Sequence, residues 1–385
     1  MHVVIVGGGI AGLTLAIALR RFGHTAAIYE QADELREAGA GLTVWPNACR
    51  VLFDLGLKDK LDAIAVEPPV QKIFHYRSGE ELHAFERGTK MRADYGAPLY
   101  QMHRQDLHGT LIDAVREGDP ASIHLSHRAV GIERTATGGR VVFANGAVAE
   151  GDLVVGCDGI RSSIRELVFG HEEPLFTNVI AYRAVVPAER LGDAFRADPT
   201  GIHLGPQSNF VHYFIRNRTA VNFLAFALVD TWEEEGWRIP ATHDEVLARF
   251  GDYNAIVTDL IRAAPAEALF KWGLFDREVR EIWSDGPFVL LGDAAHPMLP
   301  FLGQGAGMVI EDALILARAV TEKPDLRTAL AAYQAARKPR ANYALRTSRE
   351  HGRYFNSHPD EGGSPGEALG HTLDLNDYDA MRVPI

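Results

Sequence analysis

Three glycines near the N-terminus have the spacing that suits a bound dinucleotide. They are Gly7, Gly9 and Gly12 in the stretch HVVIVGGGIAGL, and Glu30 ends the next apolar run. Gly7 permits a tight turn, Gly9 lets the backbone approach a pyrophosphate, and Gly12 lets a helix pack closely on the preceding strand. The carboxylate of Glu30 can accept hydrogen bonds from an unphosphorylated adenosine ribose. The pattern therefore predicts a site for FAD or NAD rather than NADP.

A loop near the C-terminus combines a carboxylate, prolines and glycines. It reads LLGDAAHPMLPFLGQGAGMVIEDA, and an apolar strand leads into Asp293. The prolines hold the loop rigid, and the glycines let a ligand approach the backbone closely. Why one loop combines these residue types depends on the motifs elsewhere in the chain.

Two further segments place a charged residue where a strand meets a helix. Arg104 lies at this junction in PLYQMHRQDLHGTLIDAV, where it can reach a phosphate or a ribose, although a surface arginine beside a helix is the alternative. Asp158 follows the apolar strand of GDLVVGCDGIRSS. A carboxylate at the C-terminal end of a strand lies where open α/β sheets bind their ligands.

The elements that position these residues follow from the apolar pattern. A strand over residues 3–6, a helix from about 11 to 22 and a strand over 26–29 form a β-α-β unit around the glycines. From about residue 176 to 283 the sequence changes to alternating, aromatic-rich segments that are typical of antiparallel strands. The sequence thus predicts a nucleotide-binding α/β unit joined to an antiparallel sheet.

Bulk properties exclude several classes of protein. A net charge of -12 argues against a nucleic-acid partner, and no apolar run reaches the ~18 residues of a membrane span. The N-terminus lacks the layout of a signal peptide. Cys49 and Cys157 are isolated in apolar segments, which predicts buried thiols, no disulfide framework and no metal site. These features predict a protein of the reducing cytoplasm.

The ordered set of motifs resembles the group A flavin-dependent aromatic monooxygenases, which have a para-hydroxybenzoate hydroxylase-like fold. The chain looks most like the branch of salicylate hydroxylase and 6-hydroxynicotinate 3-monooxygenase, through MHRQDLHGTL, GCDGIRSSIR, LLGDAAHPMLPFLGQGAGMVIEDA and YDAMRV. The resemblance implies a mixed α/β fold. A Rossmann-like FAD-binding domain would carry an inserted antiparallel-sheet substrate domain and a C-terminal helical segment.

The expected domains are discontinuous in the sequence. The FAD-binding domain would comprise residues 1–70, 98–172 and 284–330, and the substrate-binding sheet would comprise 71–97 and 173–283. Residues 331–385 would form a C-terminal helix and tail, whose end docks on the body.

The resemblance implies FAD as cofactor, with Asp293 bonded to its ribityl chain and the loop 297–300 at the edge of the flavin ring. NADH or NADPH would visit transiently, because no second complete GxGxxG occurs. O2 would form a C4a-hydroperoxyflavin, which hydroxylates a phenolic or hydroxy-heteroaromatic acid with or without decarboxylation. The expected FAD-binding residues are Gly7, Gly9, Ala11, Gly12, Glu30, Gln31, Arg36, Gly41, Arg104, Asp158, Asp293, Pro300, Gly303, Gly305 and Ala306.

The candidate catalytic residues are His212 and Tyr213. They are adjacent on a strand, so only one can face the flavin. Relatives in this branch place an imidazole or phenolic group near this position, which favours His212, with Tyr213 or a structural role for both as alternatives. Arg183 and Arg216 could pair with a substrate carboxylate, although a surface or structural role is the alternative for each.

The expected substrate pocket contains Thr43, His296, Pro297 and Phe301. Thr43 stands where the nicotinate-hydroxylating enzymes have a histidine, and Phe301 replaces another polar pocket residue. These two departures favour a less polar substrate than 6-hydroxynicotinate. The expected partner is a small aromatic molecule bound to a monomer or homodimer. Alternatives are a purine-like or polycyclic substrate, and a flavin-binding protein without turnover.

Overall fold

The computed structural model describes residues 1–35, 40–192, 195, 200–232, 236, 238–355 and 373–385. The strands are β1 (His2–Val6), β2 (Thr25–Tyr29), β3 (Gly41–Val44), β4 (Val70–His75), β5 (Glu81–Glu86), β6 (Tyr100–His103), β7 (Ile123–His124), β8 (Ala129–Arg134), β9 (Gly139–Phe143), β10 (Val148–Gly151), β11 (Leu153–Gly156), β12 (Leu175–Pro187), β13 (Thr200–Gly205), β14 (Ser208–Ile215), β15 (Ala220–Leu228), β16 (Ile239–Pro240), β17 (Phe270–Asp276), β18 (Ser284–Asp285) and β19 (Phe288–Leu290). The helices are α1 (Ile10–Arg21), α2 (Pro46–Asp54), α3 (Lys58–Asp62), α4 (Thr89–Tyr95), α5 (Arg104–Gly118), α6 (Ser163–Phe169), α7 (His243–Phe250), α8 (Ala255–Ala263), α9 (Gly305–Glu322) and α10 (Leu326–Phe355). Short 3₁₀ turns span Ala188–Arg190, Ala266–Ala268, Gly292–Ala294, Pro300–Leu302 and Leu373–Asp377.

The nucleotide-binding part is built on a six-stranded sheet in the order β18-β19-β11-β1-β2-β7. All neighbours in it are parallel except β18, which runs antiparallel to β19. The buried run Val3–Val6 occupies the centre of this sheet, as expected for a strand covered on both faces. Helix α1 packs against both α5 and α9 beside it. The predicted β-α-β unit and the mixed α/β class are confirmed, with each element beginning one residue earlier than expected.

The second large sheet has eight strands in the order β16-β17-β12-β15-β14-β13-β4-β5. Its neighbours are antiparallel except for the parallel pair β13 and β4. One face packs on α7 and α8 through a core that contains Phe210, Phe223 and Phe250. The other face contributes side chains to a cavity beside the nucleotide-binding part. Most of β14 is buried because both of its faces are covered.

The C-terminal helix α10 is tied to α9 by buried ion pairs. Arg337 contacts Glu311 at 2.7 Å and Asp312 at 2.6 Å, and all three side chains are fully buried. The end of the chain also docks on the body, since Arg340 donates to the carbonyl of Leu375 at 2.6 Å. Across the described residues, the helices include none with the length and apolar character required to cross a bilayer.

Candidate active site

The glycine-rich turn between β1 and α1 is shaped by two backbone contacts. Gly7 has a φ of +113°, and a Cβ there would lie 2.4 Å from the carbonyl oxygen of Cys157. A Cβ at Gly12 would lie 2.1 Å from the carbonyl oxygen of Gly7. No side chain fits at either position without a backbone shift. The close approach of helix and strand predicted from the glycine spacing is therefore present in the structure.

Glu30 and a histidine brace the same turn. Glu30 accepts hydrogen bonds from the backbone N–H of Gly8 at 2.7 Å and of Ala32 at 2.9 Å. His108, which is buried, hydrogen-bonds through Nε2 to the carbonyl of Gly8 at 2.7 Å. His108 was not among the residues predicted from the sequence. Its position four residues after Arg104, on one face of α5, was the available signal.

These residues line a cleft of about 300 Å³. The expected FAD-binding residues found in it are Gly7, Gly9, Ala11, Glu30, Gln31, Arg104, Asp158, Asp293, Gly305 and Ala306. Helix α1 opens into it at Gly9, which gives the helix no side-chain cap. The first N–H groups of an uncapped helix are free to bind phosphate oxygens. The cleft therefore fits the pyrophosphate and adenosine of FAD, while Arg36 lies outside the described residues.

Asp158 lines the cleft and also anchors α6. It accepts from the hydroxyl of Ser162 at 2.5 Å and from the backbone N–H of Ile164 at 3.1 Å. Burial raises the pKa of Asp158, and these hydrogen bonds to the carboxylate oppose that rise. Asp158 thus fixes the loop that follows β11 at the edge of the cleft.

A second cavity of about 320 Å³ lies next to the first. Arg104, Asp293, Gly305 and Ala306 line both, so the two spaces meet at the N-termini of α5 and α9. The second cavity also contains further residues that the sequence analysis had selected, namely Gly41, Thr43, Tyr213, Pro300, Phe301 and Gly303. A long ligand can extend from the glycine turn to the large sheet through this junction.

Tyr213 is the phenolic group of the second cavity. Arg183 and Thr43 hydrogen-bond its side chain. Burial raises the pKa of Tyr213, and the charge of Arg183 opposes that rise. Arg183 also donates to the carbonyl of Gly41 and, at 3.2 Å, to Asn222. Arg183, for which a surface or structural role was the alternative, therefore forms part of the cavity wall.

The structure corrects the preference for His212. Side chains alternate along β14, and Tyr213 faces the cavity, so His212 points to the other face of the sheet. There it is fully buried, and its Nε2 lies 3.0 Å from Nε2 of His203. The ring of His212 lies 5.2 Å from that of Phe195, on the face away from the cavity.

Two of the expected pocket residues also lie elsewhere. His296 is buried behind the loop, where its Nε2 lies 2.6 Å from Oδ2 of Asp312. Neither His296 nor Pro297 lines the second cavity. The chain turns at this point so that Pro300 and Phe301 line the cavity instead. Arg216 is also outside it, paired with Asp106 at 3.1 Å.

The FAD-binding domain family matches residues 1–348 of this sequence. The chain belongs to that family. A 3-amino-4-hydroxybenzoate 2-monooxygenase of Streptomyces platensis is 37% identical over 92% of this chain and 88% of its own length. The 6-hydroxynicotinate 3-monooxygenase of Bordetella bronchiseptica is 30% identical over 90% of each chain. A salicylate hydroxylase–substrate complex shares the fold, with a TM-score of 0.83 at 24% identity over 99% of this chain and 96% of that chain.

This family member is therefore an FAD-dependent aromatic monooxygenase, as the ordered motifs predicted. FAD is its cofactor, and NADH or NADPH and O2 are its cosubstrates. The cleft at the glycine turn and the adjoining cavity fit the two halves of that cofactor. The idea of a flavin-binding protein without turnover is set aside, since the relatives are enzymes over nearly the whole chain.

Proposed function

We propose that this monooxygenase hydroxylates a single-ring hydroxybenzoic acid whose ring hydroxyl lies against Tyr213. The observation that carries the proposal is the position of Tyr213, which lines a cavity of about 320 Å³ that opens onto the cleft for FAD. The flavin ring would take part of this volume, which already lies near the lower end of the roughly 300–1,000 Å³ range of ligand sites, so the space left suits a single ring better than a polycyclic compound. The relative named for 3-amino-4-hydroxybenzoate supports an aminohydroxybenzoate as the first compound to test.

The cavity walls would exclude water from the ring. Apolar side chains of the large sheet and of the loop after β19 contribute to its lining, namely Ile202, Val211, Leu224, Phe226, Met298, Leu299 and Phe301. Such walls strengthen the electrostatic interactions of the polar groups that remain inside. A single aromatic ring would be held flat between the sheet and this loop.

When bound and reduced, FAD would supply the electrons that activate O2, and one oxygen atom of O2 would be transferred to the ring. The residues of the chain prepare the ring to receive it. The phenolic oxygen of Tyr213 would hold the proton of the substrate hydroxyl in a hydrogen bond. The guanidinium of Arg183 would stabilise the negative charge that develops on the substrate oxygen, which makes the ring more electron-rich. Thr43 hydrogen-bonds Tyr213 and would fix the direction of its hydroxyl.

The experiment that tests this proposal is a substrate panel with the FAD-loaded protein. NADH and NADPH oxidation would be followed with 3-amino-4-hydroxybenzoate, 3-hydroxybenzoate, salicylate, 6-hydroxynicotinate and urate, with products read by mass spectrometry and peroxide measured in parallel. We expect one of the hydroxybenzoates to give a product that gains one oxygen atom. A product from urate with none from the benzoates would overturn the proposal in favour of the purine-like alternative.

We also propose that the enzyme works in the cytoplasm as a monomer or homodimer. The two cysteines, Cys49 and Cys157, are free and buried, which supports a reducing compartment. Light scattering of the FAD-loaded protein after size exclusion tests the oligomeric part, and a tetramer would contradict it.

A further inference from the structure

The second cavity is lined by a buried arginine that has no part in the proposed hydroxylation chemistry. Arg87 follows β5 and is 5% exposed. Its guanidinium donates to a neutral acceptor, Oε1 of Gln71, from Nη2 at 2.9 Å and from Nε at 3.3 Å. Among the described residues, no carboxylate forms an ion pair or a hydrogen bond with it. The cation is therefore removed from water without an anion to compensate it.

Aromatic rings hold this guanidinium in place. It lies 4.9 Å from the ring centre of Phe85 and 5.4 Å from that of Trp45. The backbone N–H of Arg87 is also fixed, since it donates to the carbonyl of Pro69 at 2.8 Å. Burial of a cation disfavours its charged form, and burial lowers the pKa of Arg87 to about 10. At neutral pH the group still carries its charge.

A second, independent polar group of the same cavity wall lacks a hydrogen-bond partner. The indole N–H of Trp45 is buried, and it has no acceptor within the part of the chain that is described. Trp45 is 8% exposed and lines the cavity together with Arg87 and Gln71. Buried donors of this kind are normally satisfied. A buried cation without an anion, beside a buried indole N–H without an acceptor, indicates that a bound ligand supplies what both lack.

A carboxylate meets the needs of both donors. A guanidinium presents parallel N–H groups that match the two oxygens of a carboxylate, and such charge-assisted bonds are stronger than neutral ones. The side-chain oxygen of Gln71 accepts from one side of the Arg87 guanidinium, and the N–H groups on the other side remain for the ligand. Arg183 is less suited to this task because its hydrogen bonds already go to Gly41, Asn222 and Tyr213.

We propose that Arg87 binds the carboxylate of the aromatic substrate, with the indole N–H of Trp45 as a second donor. This inference rests on the proposed function, because it assumes that the substrate is an aromatic acid. The ring hydroxyl would then meet Tyr213 while the carboxylate meets Arg87, so that two polar contacts fix the orientation of the ring. Arg87 is a substrate-binding and specificity-determining residue in this arrangement.

The test compares an acid with its neutral amide. Dissociation constants of 3-amino-4-hydroxybenzoate and 3-amino-4-hydroxybenzamide would be measured by calorimetry on the FAD-loaded protein without NADH or NADPH. Arg87→Met should weaken binding of the acid by about 10- to 100-fold, the usual value of hydrogen bonds to a charged group. The amide should bind almost unchanged. Arg87→Lys should fall between, since an ammonium keeps the charge but not the fork.

The matched control is Arg77→Met. Arg77 lies in the turn between β4 and β5, with a side chain 62% exposed and paired with Asp252 at 2.8 Å. This variant makes the same substitution and the same charge change in the same hairpin, but outside the cavity. It should leave the affinities for both the acid and the amide unchanged.

A second variant, at Gln71, keeps Arg87 in place, so that the test does not depend on the folding of a protein that lacks this buried arginine. Gln71→Glu is nearly isosteric and supplies Arg87 with an anion of its own, so it should weaken the acid and spare the amide. Equal losses for acid and amide in both variants, or no loss for the acid, would overturn the role of Arg87 while leaving the proposed function intact. A wild-type protein that binds none of the panel's aromatic acids would instead count against the proposed function itself.

Discussion

At the scale of single residues, the direction of one side chain on β14 decides which group meets the substrate. Tyr213 lines the cavity with Arg183 and Thr43 bonded to it, whereas His212 lies among side chains of the opposite face. Tyr213→Phe removes only the hydroxyl and keeps the ring that fills the wall. We expect the turnover number to fall by about 10²-fold or more, as for loss of an acid–base group, and peroxide formation to rise because NADH is consumed without hydroxylation.

The control for that variant is Tyr182→Phe. Tyr182 lies on β12 of the same sheet, is fully buried, and bonds to Glu245 on the face away from the cavity at 3.0 Å. Both variants lose one buried hydroxyl, so a general loss of stability would affect them alike. Steady-state rates and product yields of the two variants would distinguish a catalytic role of Tyr213 from a general loss of stability. Normal coupling in Tyr213→Phe would remove Tyr213 from the mechanism.

Asp293 lies where the two cavities meet, so an FAD molecule that extends through both would pass it near its middle. Asp293→Ala removes a charged acceptor, and bonds to charged groups are worth about 1.5–3 kcal/mol. We therefore expect the dissociation constant of FAD, measured by quenching of flavin fluorescence, to rise by roughly 10- to 150-fold. Asp285→Ala, which loses a surface pair with Arg134, should leave it unchanged. Full FAD occupancy in dilute Asp293→Ala would contradict this role.

The orientation of His212 and Tyr213 was beyond the reach of the sequence for a physical reason. Alternation predicts an inward face only where the other face meets water. In β14 both faces are covered, one by the cavity wall and one by the core against α7 and α8, so apolar and aromatic residues occur at nearly every position. Arg87 was missed for a related reason, because an arginine at the end of a short strand resembles an ordinary surface residue until the packing around it is known.

At the scale of elements, the β1–α1 junction depends on the absence of a side chain at Gly7. An alanine there would adopt a φ of +113° and place its Cβ against the backbone of Cys157, which follows the neighbouring strand β11. The left-handed strain amounts to about 1–2 kcal/mol, and overpacking against rigid atoms adds about 1–3 kcal/mol. We expect Gly7→Ala to lower the free energy of unfolding of the FAD-free protein by the sum of these terms and to abolish tight FAD binding.

Gly23→Ala is the matched control, since it also has a positive φ, of +80°, but a Cβ there would contact nothing within 4 Å. In Gly23→Ala the free energy of unfolding should fall only by the amount of the conformational strain, and the affinity for FAD should be unchanged. Urea unfolding of the FAD-free proteins and flavin titration provide both readings. Equal destabilisation in the two variants would mean that the contact with Cys157 relaxes at little cost.

The glycine turn could be predicted in detail because its chemistry is local, with strand, turn and helix following each other along the chain. The loop after β19 was predicted only in part. Its composition indicated rigidity, the family resemblance implied contact with the flavin ring, and Pro300, Phe301 and Gly303 do line the cavity. The direction of His296 could not be inferred, because it is set by Asp312 on α9 and by stacking near Trp283, both distant in sequence.

At the scale of the whole molecule, a buried charge network connects the loop after β19 to the C-terminal part of the chain. Asp312 on α9 bonds both His296 of that loop and Arg337 of α10. Glu311 bonds Arg337 and Arg340, and Arg340 also reaches the carbonyl of Leu375 in the docked end. The position of the loop therefore depends on packing between segments that lie far apart in the sequence.

Because of the same network, the free energy of unfolding depends on pH in the acid range. Burial alone would raise the pKa of Asp312, but the charges of His296 and Arg337 hold it at about 2, below its ordinary 3.8. A carboxyl with a depressed pKa contributes stability above its unfolded pKa, and this contribution is lost as pH falls through the folded value. The contribution of Asp312 amounts to about 2 kcal/mol at neutral pH, and it should disappear between pH 3.8 and about 2.

Arg337→Met tests this coupling. The variant leaves the buried carboxylates of Glu311 and Asp312 with less positive charge beside them. This should lower the free energy of unfolding by about 3–5 kcal/mol and raise the pKa of Asp312. We expect acid unfolding, followed by circular dichroism, to move to higher pH, because Asp312 then takes up its proton earlier. Arg337→Lys should recover part of the loss, since it keeps the charge. Glu322→Gln, which breaks an exposed pair with Arg318 on α9, should leave the acid midpoint in place. An unchanged midpoint in Arg337→Met would show that His296 alone maintains the ionised state of Asp312, and that the loop after β19 is held independently of α10.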